Sequence, residues 1–160
     1  MPMQFLLNIC IAFLWMFLQD EAHFSFYTLS AGYVVGIFIV FLMHRFFGKP
    51  FYLKRFYATM KLILIFISEL FHSSAFVIRY IVSPIRRMEP GIFRYETSLE
   101  GEWEVPLLAM LLTLTPGSVV MEVTPEGNAF YIHAMDLSSS KENLIRSLGR
   151  FEKAIMEVTR

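Results

Sequence analysis

The first 43 residues contain no lysine and no arginine, and their only acids, Asp20 and Glu21, are adjacent. Two apolar segments flank that pair, residues 3–19 and 24–43. Asn8 is the only strongly polar interior residue of the first, and the second carries no formal charge. In a nonpolar medium such segments must satisfy their backbone hydrogen bonds internally, which leaves helix as the available form. Residues 3–19 make a helix about 26 Å long, close to the roughly 30 Å of a bilayer core. The pattern predicts a transmembrane helical hairpin over residues 1–44. A cleaved signal peptide is the competing reading of the first segment. No basic residue precedes its apolar run and no small-x-small cleavage site follows it, which favours a retained helix.

In the second segment Ser25, Thr28, Gly32 and Gly36 recur at i, i+3, i+7 and i+11 and share one helical face. Gly32-x-x-x-Gly36 is a close-packing spacing. Two coverings of this face are open: a helix of a partner subunit, or the first helix of the same hairpin. Cys10 is the only cysteine, which excludes an intrachain disulfide and a thiolate metal cluster. It is expected to be a buried thiol acting as a small hydrophobe.

Charge is balanced in total, 14 basic against 14 acidic residues, but not in place. Residues 44–94 hold nine bases against Glu69 and Glu89; residues 95–160 hold five bases and ten acids. Hydrophobic residues make up 56% and mean hydropathy is +0.52, a membrane-protein composition with an aqueous C-terminal part. The bases lie between hydrophobic segments, not on a domain of their own, so nucleic acid is not an expected partner. The basic stretch from Arg45 to Lys61, broken at Pro50, predicts a cytoplasmic loop. The connector at residues 20–23 then lies outside and the N-terminus inside.

Residues 56–82 are long enough for a third span, but Lys61, Ser68, Glu69, His72 and Arg79 interrupt them. Lys61, Ser68, His72 and Arg79 fall within about 40° on a helical wheel, flanked by Glu69 and Ser73. One polar stripe on an apolar helix suits a helix lying in the membrane interface with its stripe toward water. A third span would carry Arg86 and Arg87 outside, so the in-plane helix is preferred. If the segment did cross the bilayer, Glu69 and His72 would be proton-path candidates. At the interface they are expected to be solvated side chains in helix-spaced pairs of small value. Residues 45–84 thus read as a basic loop followed by an amphipathic interfacial helix.

Residues 85–160 read as a small cytoplasmic α+β domain of order βαββα. Phe93 and Tyr95 alternate with Arg94 and Glu96 in a half-buried strand over residues 92–97. Residues 107–114 predict a helix apolar on every side. One stripe of it would face a sheet, which leaves Leu108 and Leu111 as candidates for an outward, subunit-facing surface. Thr115-Pro116-Gly117-Ser118 suits a type II turn, and Gly127 supplies a left-handed loop position. Residues 118–123 and 129–134 alternate as a hairpin between and after these turns. Ser139 and Glu142 have capping-box spacing ahead of an amphipathic helix carrying Leu144, Leu148, Phe151, Ile155 and Val158.

The same turn and hairpin carry a family resemblance. Thr113-Leu114-Thr115-Pro116-Gly117-Ser118, followed by Tyr131-Ile132-His133-Ala134-Met135-Asp136, resembles the signature of the E-type subunits of the Mrp-type multisubunit cation/proton antiporters. The likeness extends over the chain: a hydrophobic N-terminal half, a basic middle and a small C-terminal domain. It implies an accessory role in Na⁺/H⁺ exchange at the cell membrane, with other subunits of the complex and the bilayer as partners. It implies no catalytic residue in this chain.

Enzymatic chemistry has little support in the residues. No glycine-rich phosphate loop precedes a helix, and the four histidines lie in separate segments, so neither metal nor cofactor is expected. His133 and Asp136 are three apart at a strand end and read as hydrogen-bonding or interface residues in preference to an acid/base pair. Thr113 and Thr115 read as caps of a helix end and turn, not as ion ligands. The expected function is an accessory antiporter subunit. A free-standing membrane-anchored cytoplasmic binding module is the alternative, and a small membrane enzyme using His133 and Asp136 is a third reading.

Overall fold

The computed structural model describes residues 2–19, 25–43, 51–83 and 89–160. The expectations for the connector at residues 20–23, for Arg45, Lys49 and Pro50, and for Arg86 and Arg87 lie outside the described residues. Two compact units result, Met1–Phe56 and Tyr57–Arg160.

The first unit holds α1 (Pro2–Leu18) and α2 (Phe26–Met43), packed on each other. Thr28, Gly32, Gly36 and Val40 are the buried residues of α2. Gly32 faces α1 so closely that a Cβ there would meet Trp15 Cβ at 2.8 Å and the Ala12 carbonyl at 2.9 Å. A Cβ at Gly36 would collide with the Asn8 side-chain oxygen. Of the two coverings open for the glycine face, α1 is the one present. Cys10 differs from expectation: it is exposed, because a two-helix unit covers only the stripe of α1 that faces α2.

Asn8, the one polar residue singled out in α1, is fully buried. Its amide donates to the Tyr52 hydroxyl at 2.8 Å, while the Tyr52 backbone N–H donates to Gln4 Oε1 at 3.0 Å. These bonds occupy polar groups that would otherwise be costly in an apolar setting.

α3 (Tyr52–Val82) begins in the first unit and lies mostly in the second. The second unit continues with β1 (Gly91–Glu96), α4 (Glu104–Leu114), β2 (Ser118–Val123), β3 (Ala129–Ala134) and α5 (Leu137–Thr159). The three strands form an antiparallel sheet in the order β1-β3-β2. Phe93 pairs with Ile132 and Tyr95 with Phe130, so the apolar positions of β1 and β3 share a face. α5 packs Leu148, Phe151 and Ile155 into the same core as Phe93, Phe130 and Ile132. On the opposite sheet face lie Ile92 and Tyr131, both exposed, and half-buried His133 between Ile92 and Val119 in register.

Two local expectations need correction. α4 starts at Glu104 and is covered on its second side by α5, so Leu108 and Leu111 are core residues, 0% and 9% exposed. The apolar residues it presents outward are Met110 and Leu114, with Trp103 just before it. The N-cap of α5 is Asp136, three residues earlier than the expected Ser139. Asp136 has extended backbone angles and accepts from the Ser138 N–H, the arrangement that stabilises a helix start.

Candidate functional site

Four carboxylates are buried in the second unit, Glu69, Glu104, Asp136 and Glu152. A buried carboxylate is tolerable only where hydrogen bonds replace its hydration. Each of the four finds them by joining α5 to another element. Glu69 of α3 accepts from Ser147 at 2.7 Å and from Arg150 at 2.5 Å, both on α5. Glu104, at the start of α4, accepts from the Thr159 hydroxyl and from Arg160 at 3.1 Å. Glu152 of α5 accepts from the hydroxyls of Thr97 and Ser98, just beyond β1. Asp136 accepts from Tyr80, near the end of α3, and from Ser138 and Ser139 in the first turn of α5. α5 is the hub to which the other elements are tied.

These bonds set the electrostatics. The Thr159 hydroxyl, then Arg160, hold Glu104 down to about 2. Bonds from Ser139 and then Tyr80 hold Asp136 well below the ordinary carboxylate value. Burial, then the nearby charge of Glu152, pushes the Tyr95 hydroxyl up. Lys61 ion-pairs with Glu157 at 2.6 Å, but both side chains are well exposed and the pair adds little stability.

Glu69 therefore occupies a different setting from the one expected. Glu69 is no solvated member of a helix-spaced pair: its partners lie on another helix. His72 is exposed beside it. The turn at Pro116 and Gly117 also reaches this junction. Gly117 has φ +95° and lies against Val77 of α3, and its carbonyl accepts from Met135 N–H at 3.0 Å. A pocket of about 50 Å³ brings Pro116, Gly117 and Ser118 together with Glu69, His72 and Ser73. The buried Ser118 hydroxyl that faces it has no hydrogen-bond partner among the described residues.

The remaining candidates separate. Thr115 caps α4, its hydroxyl donating to the Leu112 carbonyl at 2.7 Å, whereas Thr113 is exposed. His133 and Asp136 are not brought together: His133 sits on the outer sheet face and the Asp136 carboxylate is engaged by Tyr80, Ser138 and Ser139. Among the described residues no group of three His, Cys, Asp or Glu side chains could hold a metal ion. The tie that Glu69, Glu104 and Glu152 each make between α5 and another element left no local mark in the sequence, since Ser147, Arg160 and Thr97, with which they make it, lie more than 50 positions away.

Comparisons with known proteins agree with the resemblance carried by the turn and hairpin. A family model described as Na⁺/H⁺ ion antiporter subunit matches residues 8–158. A Staphylococcus epidermidis protein assigned as antiporter subunit mnhE2 is 42% identical over 98% of this chain and 99% of its own length. Two solved structures are also similar. A chain of the membrane-bound sulfane sulfur reductase, an archaeal respiratory membrane complex, is 22% identical with a TM-score of 0.55, covering 97% of this chain and 99% of that one. A chain of the Mrp complex from Dietzia sp. is 29% identical with a TM-score of 0.46, covering 64% of this chain and 96% of that one.

Proposed function

The chain belongs to the family of Na⁺/H⁺ ion antiporter subunits, and on that premise we propose that it serves its multisubunit complex as an anchor and scaffold, not as an ion path. In this reading α1 and α2 cross the bilayer, α3 lies along its cytoplasmic surface, and the βαββα domain is cytoplasmic. α2 and α3 are both long and apolar enough to cross a membrane, and α1 is slightly shorter.

The observation that carries the reading is the way α3 divides its circumference. Within the second unit its buried residues Ala58, Leu62, Glu69 and Tyr80 fall within about 40° of one another on a helical wheel. Its exposed apolar residues, among them Met60, Ile67, Phe71, Ile78 and Ile81, centre on the opposite side. A helix with a protein side and an apolar side suits the boundary between domain and lipid. The same division supports a structural role for Glu69, whose carboxylate is spent on Ser147 and Arg150 of the domain. Membership in a family of antiporter subunits supports an accessory role in a transport complex over catalysis.

Cysteine labelling in a Cys10-free background tests the topology. Single cysteines at exposed Ser98 and Glu126 are expected to be shielded from an impermeant reagent added outside. Labelling from outside would make α3 a third span.

A further inference from the structure

Between α3 and α5 runs a polar groove, with one pocket of about 250 Å³ and another of about 480 Å³ that share His72 and Asn143. Its cationic lining is Arg146 and Arg150 in the first pocket and Arg79 in the second. Among the described residues Glu69 is the only acid in either lining, and Arg150 and Ser147 already engage it. Arg79 and Arg146 form no ion pair among the described residues. The small pocket bearing the unpartnered Ser118 hydroxyl adjoins the groove through the same His72 and Asn143.

The groove borders the apolar side of α3. Around the helix, Leu64 and Phe71 are exposed, then Ser68, His72 and Arg79 follow within about 100°, then the buried side begins. Apolar surface thus gives way directly to hydrogen-bond donors and to cations with no ion pair among the described residues, as acyl chains give way to glycerol and phosphate. Two arginines with free forked donors match a phosphate anion.

The geometry points to a binding site for the phosphate of an anionic glycerophospholipid in the α3–α5 groove, with its acyl chains along the apolar side of α3. Arg79 and Arg146 hold the phosphate, Asn143 and Ser68 donate to its ester and glycerol oxygens, and the Glu69–Arg150 pair keeps the groove open. This site rests on the in-plane placement of α3. The bound lipid would fasten the domain to the membrane surface beside its partner subunits.

The test is native mass spectrometry of the detergent-solubilised complex titrated with dioctanoyl-phosphatidylglycerol. Wild type is expected to retain the lipid, and R79Q/R146Q to bind it about thirtyfold more weakly, each charge near a membrane surface being worth about fivefold. R79K/R146K, which keeps the charge and loses the fork, should bind with an affinity between those of wild type and R79Q/R146Q, and the Arg94→Gln control should keep all of the binding. Equal retention by wild type and R79Q/R146Q overturns the site. Equal retention of dioctanoyl-phosphatidylcholine overturns the selectivity for an anionic headgroup. Displacement by inorganic phosphate at the same concentration as the lipid makes the groove a free-anion site and overturns the lipid assignment. Labelling at Ser98 and Glu126 reports separately: lipid loss with shielded cysteines defeats only this site, whereas outside labelling defeats the placement of α3.

Discussion

Tyr80 of α3 donates its hydroxyl to Asp136, the residue that caps α5. Both side chains are buried, and Ser139 joins the same carboxylate, so one acid fixes the start of α5 and the end of α3 together.

Asp136→Ala should cost more than an ordinary cap. Loss of the cap removes about 1 kcal/mol, and the Tyr80 and Ser139 hydroxyls, which keep each other at 2.9 Å, lose their shared carboxylate acceptor, adding roughly 1 kcal/mol. Tyr80→Phe should cost only about 1 kcal/mol. Thermal denaturation of the full chain in detergent, with the double variant, measures the coupling. Additive losses would mean that the two residues act independently.

Glu69→Gln should leave antiport near its normal rate and pH profile in everted vesicles. The amide can still accept from Ser147, and lost charge pairing with Arg150 should lower stability by about 1–2 kcal/mol. Collapse of transport in a fully assembled complex would assign Glu69 to the proton route.

Gly36→Ala separates packing from propensity. Alanine in place of a helical glycine ordinarily stabilises by up to about 1 kcal/mol. Here the new Cβ meets Asn8, whose amide holds Tyr52. The variant should therefore melt lower than wild type; a higher melting temperature would show that α1 yields freely.

Glu104 predicts acid sensitivity with a defined sign. Its folded value of about 2 lies below the ordinary 4.5, so its contribution is present above about pH 4.5 and is lost as pH falls toward about 2. Glu104→Gln should melt below wild type at neutral pH, and the difference should shrink through that window. A difference independent of pH would remove the carboxylate charge from the account.

Leu108→Lys should prevent folding of the domain, because it places a charge in a fully buried position. Met110→Lys lies on the exposed side of α4 and should leave the fold intact. Its effect on recovery of the assembled complex reports whether that side meets a partner subunit; full recovery would show that it does not.

Periodicity and turn chemistry determined the elements by themselves. The period of two in β1 and β3, Gly117 and Gly127 with their positive φ, and the amphipathic stripe of α5 are local properties of short stretches. So are the apolar lengths of the N-terminal helices, and the motif from Thr113 to Asp136 carried the family. What tertiary structure alone decided is which side of each helix is covered, and by what. Leu108 and Leu111 looked outward while α4 had only a sheet to meet; α5 closes its other side. Glu69 looked solvated until Ser147 and Arg150, 78 and 81 positions away, were placed against it. Ser139 had cap spacing, but Asp136 takes the cap because the end of β3 delivers it in an extended conformation beside Tyr80. Local sequence fixes backbone preference over a few residues, whereas the burial of a carboxylate depends on partners that only the folded chain brings within reach.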